Sequence, residues 1–145
     1  MNLGGLDLPE TTTSTPLKVH CDASHNHSTE ISSGGVVFST HTGVPIDTVP
    51  FNLGKGYDIN SAEEETIKRA ISILDSYNQV QHIKVYTDSK VSIESLSNVE
   101  LSVGNFESVT LDWIPREENM IADAIANKGM EKRAHSSEPK YGICD

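Results

Sequence analysis

The sequence predicts a mixed α/β sheet flanked by helices, and three observations carry that prediction. Segments of two-residue hydrophobic period alternate with segments of helical period. Their order is three strands, a helix, a strand, a helix, a strand and a helix. The first three strands can form a meander, whereas each later strand is reached through a helix, which permits parallel pairing. At 145 residues one compact domain can build its core without staples.

The elements follow in order. Residues 1–16, with the run Thr11-Thr12-Thr13-Ser14-Thr15-Pro16, read as a flexible leader. Leu17, Val19, Cys21 and Ala23 alternate with Lys18, His20 and Asp22, which makes the first strand. Gly34-Gly35 precedes a second strand at Val36-Val37-Phe38. Val44 to Leu53 reads as a third strand, placed at an edge because Pro45 and Pro50 cannot donate to a ladder. Asn60 or Ser61 is expected to cap a helix reaching about Tyr77. His82 to Thr87 is a fourth strand, and Asp88-Ser89 caps a short helix to about Leu96. Val109 to Ile114 is a fifth strand, ended by Pro115. A last helix runs from about Glu117 to Gly129, with Gly129 as its stop. Residues 17–131 then form the domain and 132–145 a flexible tail.

Composition narrows the functional classes. The chain is 36% hydrophobic and 22% charged, with a formal net charge of −10. That charge argues against nucleic-acid binding by bulk electrostatics, because phosphate contacts need local positive charge. It is compatible with a site whose acids are neutralised by bound cations. No apolar run approaches the roughly 20 residues of a membrane span, so no membrane partner is expected. The first 16 residues lack the basic and apolar regions of a secretory signal. With two cysteines, Cys21 inside a strand and Cys144 near the end, a disulfide framework is not expected. A reducing, cytoplasmic location is.

Four acids stand in short patterns: Asp22 in Cys21-Asp22-Ala23-Ser24, Glu63 in Asn60-Ser61-Ala62-Glu63, Asp88 in Thr87-Asp88-Ser89, and Asp123 in Asn119-Met120-Ile121-Ala122-Asp123. Singly, Asp22 reads as a turn former on the polar side of its strand, Asp88 as an N-cap, and Asp123 as a first-turn helical acid. Glu63 is different. It shares one helical face with Ile67, Ala70, Ile71, Leu74 and Tyr77, while Glu64 and Glu65 point away. A carboxylate on a buried face needs a cation or a basic partner. Asp22 and Asp88 both end strands that can be parallel, and ligands gather at that edge of such sheets. Divalent cations held by such acids can cut a phosphodiester without a covalent protein intermediate.

Other candidates are weaker. His25 and His27 lack the further ligands of a structural zinc site and read as loop surface. Ser24 has no nucleophile elbow around it and reads as a turn hydroxyl. Asn26-His27-Ser28 has the glycosylation spacing but no export signal beside it. No phosphate-binding Gly-rich loop or dinucleotide fingerprint occurs. Trp113 is expected in the core.

Taken together, Asp-x-Ser ending the first strand, Asn-x-Ala-Glu opening the first helix, Thr-Asp-Ser after the fourth strand and Trp113-Ile-Pro-Arg-Glu-x-Asn-x-x-Ala-Asp123 resemble type 1 ribonuclease H, closest to its plant- and archaeal-like branch. The resemblance covers about Leu17 to Met130. It implies a ribonuclease H-like fold, a five-stranded mixed sheet flanked by helices. It implies Asp22, Glu63, Asp88 and Asp123 as catalytic ligands of two Mg²⁺ or Mn²⁺ ions, with Asp22 bridging, Glu63 and Asp88 on one ion and Asp123 on the other. The implied reaction is endonucleolytic hydrolysis of the RNA strand of an RNA–DNA hybrid, leaving 5′-phosphate and 3′-hydroxyl ends. Asn60 and Ser24 match substrate-binding positions of the family. The chain departs from the family pattern at Ala23, where many members have Gly, and in the segment His25 to Ser33, which replaces a Gly-rich loop. It also lacks the mobile histidine that many bacterial members carry before the last Asp, which implies slower turnover. Between Leu96 and Val109 there is no space for a basic substrate-binding protrusion.

Two other functions fit the same residues. One is a non-catalytic module that recognises a hybrid or double-stranded RNA by shape. The other is the nuclease part of a reverse-transcriptase-like element working with a polymerase-type partner. A monomer is expected otherwise.

Overall fold

The structure is a computed structural model and describes residues 5–97 and 106–131. The tail 132–145, and most of the connection in which no basic protrusion was expected, lie outside the described residues. The strands are β1 (Leu17–Asn26), β2 (Ile31–Ser39), β3 (Pro45–Lys55), β4 (His82–Thr87) and β5 (Ser108–Trp113). The helices are α1 (Ile59–Leu74), α2 (Lys90–Ser97) and α3 (Met120–Gly129), with a short 3-10 turn at Arg116–Glu118 before α3. The sheet order is β3-β2-β1-β4-β5. β1, β2 and β3 pair antiparallel, and β4 is parallel to both β1 and β5. This is the expected five-stranded mixed sheet, with β3 at an edge as its two prolines require.

Two adjacent glycines on β2 show how the layers stack. A Cβ on Gly34 would meet the side chain of Thr66 of α1, whereas one on Gly35 would meet the backbone of Ala122 and Ala126 of α3. Neighbouring residues of a strand face opposite ways, so α1 and α3 cover opposite faces of the sheet. The α1 face holds the larger core, including Leu17, Val19, Cys21, Phe38, Ile67, Ile71 and Val85. The α3 face carries a smaller apolar cluster of Val37, Ala122 and Ile125. The difference follows from the helices: α3 is 10 residues long and presents small side chains, while α1 is 16 residues long and carries an apolar stripe.

Local details differ from the expectations where side chains compete for caps and turns. α1 is capped by Asp58, two residues before Asn60. Its carboxylate accepts from Ser61 N at 2.8 Å while Ser61 Oγ accepts from Asp58 N at 3.0 Å. This reciprocal pair holds the Asp58 carboxyl below its ordinary range, through the Ser61 backbone N–H first. α1 ends at Leu74 and not near Tyr77. Ser89 caps α2 as expected, its Oγ accepting from Ser92 N. The segment expected as a loop after the first strand is a hairpin. β1 runs on to Asn26, and Asn26 Oδ1 accepts from Ser28 N and Thr29 N in a tight turn. His25 is therefore not loop surface: its Nδ1 lies 2.7 Å from Ser32 Oγ and its side chain is buried. Gly129 does end α3, but its lack of a Cβ serves close packing, since a Cβ there would fall 2.3 Å from Phe51 O.

The segment expected as a flexible leader packs on the domain from Leu6 onward. Leu8 enters the core, and Thr11 Oγ1 accepts from the N–H groups of Gln81 and His82 at 2.8 and 3.0 Å. A threonine-rich run looks loose in sequence, yet one of its hydroxyls satisfies two backbone donors at the start of β4.

Candidate metal centre

The β1–β4 register assembles the site. Val19 pairs with Val85 and His20 with Tyr86. Carried two residues further, the same register sets Asp22 level with Asp88, beyond the last paired residues of the two parallel strands. Glu63 arrives from the first turns of α1. One carboxylate oxygen from each of Asp22, Glu63 and Asp88 lies within 4.8 Å of the others. Asp123, in the first turn of α3, stands outside that group of three but near enough to raise the proton affinity of Asp22.

Asp22 and Glu63 are buried, 4% and 7% exposed, whereas Asp88 and Asp123 are partly open. Asp22 is on the polar side of its strand's alternation, and it is buried because α3 covers that face. Burial is the largest influence pushing the Asp22 carboxyl up to about 7, followed by the charge of Asp88; Asp123 adds to it and the Ala23 N–H opposes it. Burial, then the charges of Asp22 and Asp88, push Glu63 up to about 9. Glu63 Oε1 is buried with no hydrogen-bond partner. No basic side chain is paired with any of these acids among the described ion pairs. Like charges brought together by burial without basic side-chain partners are what a divalent cation stabilises. The donors are all carboxylate oxygens, which suit hard cations such as Mg²⁺ or Mn²⁺. Cys21 does not compete as a soft ligand. Its thiol faces the opposite core and is pushed far up, by burial first and then by Glu63 and Asp22.

Above the acids lies a cleft of about 490 Å³ whose lining includes Asp22, Asn60, Glu63, Asp88, Lys90, Trp113 and Arg116. Asn60 thus shares the cleft with the carboxylates. Ser24 is held to α3, its Oγ donating to Asn127 Oδ1 at 3.2 Å, and is not among the cleft's lining residues. Trp113, expected in the core, is 43% exposed. It is the last residue of β5, and its indole N–H donates to Asp88 O at 3.2 Å.

Two positioning residues escaped the sequence reading. Asn119 is 1% exposed and its Nδ2 donates to Cys21 O at 2.8 Å, pinning the start of α3 beside Asp22. Gly35 pairs with Asp22 across β1 and β2 and lets the α3 backbone lie against the sheet. The place of Asn119 four residues before Asp123 was visible in the sequence; nothing in the sequence says what its amide holds.

No family model matches the chain. It is 24% identical over 131 residues to EbsB of Enterococcus faecalis, whose name places it provisionally among hydrolases, covering 80% of this chain and 95% of that protein. Among solved structures, RNase H1 from the halophilic archaeon Halobacterium salinarum superposes with a TM-score of 0.71 at 17% identity, over 80% of this chain and 98% of that one. The N-terminal RNase H domain of rv2228c from Mycobacterium tuberculosis superposes with a TM-score of 0.68 at 19% identity, over 81% and 95%. LC11-RNase H1, isolated from compost and solved in complex with RNA/DNA hybrid, gives a TM-score of 0.68 at 19% identity, over 79% and 96%. Strand order, helix placement and these superpositions agree: the chain has the ribonuclease H fold.

Proposed function

We propose that this chain is a metal-dependent endonuclease that hydrolyses the RNA strand of RNA–DNA hybrids, leaving 5′-phosphate and 3′-hydroxyl ends. The observation that carries the proposal is the convergence of Asp22, Glu63 and Asp88 from three separate elements, with a buried, unpartnered Glu63 oxygen among them. A protein that only bound a phosphate backbone would be hindered by three acids facing it. The likeness to RNase H1 structures, one of them holding an RNA/DNA hybrid, supports the substrate class.

In this reading Asp22, Glu63 and Asp88 would hold one Mg²⁺ or Mn²⁺ ion, and Asp22 with Asp123 would hold a second. Such ions would supply activation of the attacking water and charge neutralisation at the leaving 3′ oxygen. The chain's own work is to hold the acids together and fixed; their raised proton affinity is what a bound cation would overcome. Asn119 and Gly35 set the Asp22–Asp123 spacing, and the Asp58 cap fixes the first turns of α1 that carry Asn60 and Glu63. Asn60, which lines the cleft, would touch the hybrid backbone; Ser24 matches by resemblance a position that touches the RNA strand, whose 2′-hydroxyl separates it from DNA. The chain would act here as a cytoplasmic monomer. No described helix is long and apolar enough to cross a membrane.

Purified protein with Mg²⁺ or Mn²⁺ is expected to cut the labelled RNA strand of a hybrid into 5′-phosphorylated fragments. Asp88→Asn is expected to lower kcat by about 100-fold or more, since changing mere outer partners of a metal site already costs 10–100-fold. A wild-type protein that leaves hybrid intact with both metals at every salt concentration would refute the proposal.

A further inference from the structure

The described residues include six exposed large hydrophobic side chains, and three of them, Ile59, Val91 and Trp113, line the carboxylate cleft. The cleft therefore carries exposed apolar side chains beside its buried acids. Trp113 is also held in place. Its indole N–H is tied to Asp88 O at 3.2 Å, and Lys90 Nζ sits 5.0 Å from its ring centroid. A solvent-exposed indole fixed at two points is poorly explained as core packing, because 43% of its surface stays in water. It is well explained as a preset wall for a flat or apolar ligand group, since little side-chain freedom remains to be lost on binding. The cations Lys90 and Arg116 line the same cleft as the three acids, so they are the positive partners it offers an anionic ligand once a bound cation offsets the acids.

We infer that Trp113 is a substrate-binding wall of this cleft, packing against the base or sugar of a nucleotide next to the phosphate held over the carboxylates. The inference rests on the nuclease reading and adds to it the residue that grips the strand. In a chain whose net charge opposes backbone contacts, aromatic packing supplies affinity that long-range electrostatics does not. Lys90 sets the indole from one side and brings its ammonium to the rim.

Trp113 is the only tryptophan of the chain, so its emission reports on this one position. Asp88→Asn protein with Mg²⁺ is titrated with a fluorescently labelled RNA–DNA hybrid, and binding is followed by the label's anisotropy. Tryptophan emission is expected to change in step with the anisotropy and to saturate with it. In the otherwise wild-type enzyme, Trp113→Ala is expected to raise KM about tenfold or more, the range for losing a base–aromatic contact, with kcat within threefold. Trp113→Phe is expected to restore KM to within threefold. If Trp113 serves only to hold Asp88, then Trp113→Phe, which lacks the indole N–H, loses kcat as Trp113→Ala does, and that result overturns the inference. Binding by anisotropy with unchanged emission overturns it as well and leaves the nuclease reading standing. Absence of both binding and cleavage by wild-type protein overturns the two together.

Discussion

Asp22→Asn is expected to abolish hydrolysis and, in metal-free buffer at neutral pH, to raise the melting temperature. Both effects come from one position. Asp22 is the carboxylate that both Glu63 and Asp123 meet, and its neighbours raise its proton affinity together with burial. The sign follows from linkage. A carboxyl whose folded pKa lies above its unfolded value binds more protons in the folded state, so stability falls as pH rises between the two values. For Asp22 that window runs from 3.8 to about 7, and for Glu63 from 4.5 to about 9. Metal-free wild type is therefore expected to be most stable near the lower end of these windows and to lose stability up to about pH 9. At about 1.4 kcal/mol per pKa unit, removing the Asp22 charge recovers on the order of 2–4 kcal/mol at neutral pH. Millimolar Mg²⁺ is expected to raise the melting temperature of wild type, because a ligand that binds only the folded chain stabilises it. Asp22→Asn is expected to show little of this rise. Thermal melts across pH, with chelator or with Mg²⁺, read all of these effects. A lower melting temperature for Asp22→Asn in chelator would contradict the account.

Gly35→Ala is expected to destabilise the fold by about 3 kcal/mol and to remove activity without touching any candidate ligand. The added Cβ would lie 2.3 Å from Ala126 N and 2.6 Å from Ala122 O. These are backbone atoms of α3, so no side chain can turn aside, and overpacking of this kind costs about 1–3 kcal/mol or more. The helix must move off the sheet. That motion would strain the Asn119–Cys21 and Ser33 Oγ–Ala126 O bonds, at 2.8 and 2.6 Å, and withdraw Asp123 from Asp22. Urea denaturation would show the loss in midpoint. Native-state hydrogen exchange should show it concentrated in α3, because the main core lies on the other face. Wild-type stability with full activity in Gly35→Ala would contradict this packing argument.

Much of this was legible in the sequence because it rests on short-range pattern. Alternation in Leu17 to Ala23 and the helical stripe from Glu63 to Leu74 depend only on which residues face inward. Glu63 drew notice because an acid on an apolar stripe needs a partner. Other features were hidden because they depend on what approaches from elsewhere in the chain. Trp113 is expected in the core, but β5 is the edge strand of the sheet and the indole lines the cleft. Thr11 looked like part of a loose leader until its hydroxyl met two backbone donors of a distant strand. The cap of α1 moved to Asp58, because an acid and a serine three residues apart satisfy each other's backbone groups.

The sequence by itself determined the strands and helices in their order, the edge position of β3 and the identity of four acids in their patterns. Only the tertiary structure decided which of those acids share a site. The β1–β4 register levels Asp22 with Asp88, α1 brings Glu63 within reach of both, and the bare Cα of Gly35 lets α3 carry Asp123 to Asp22. Periodicity records which way a residue faces. The distance between two carboxylates is set by how closely the layers that carry them can pack.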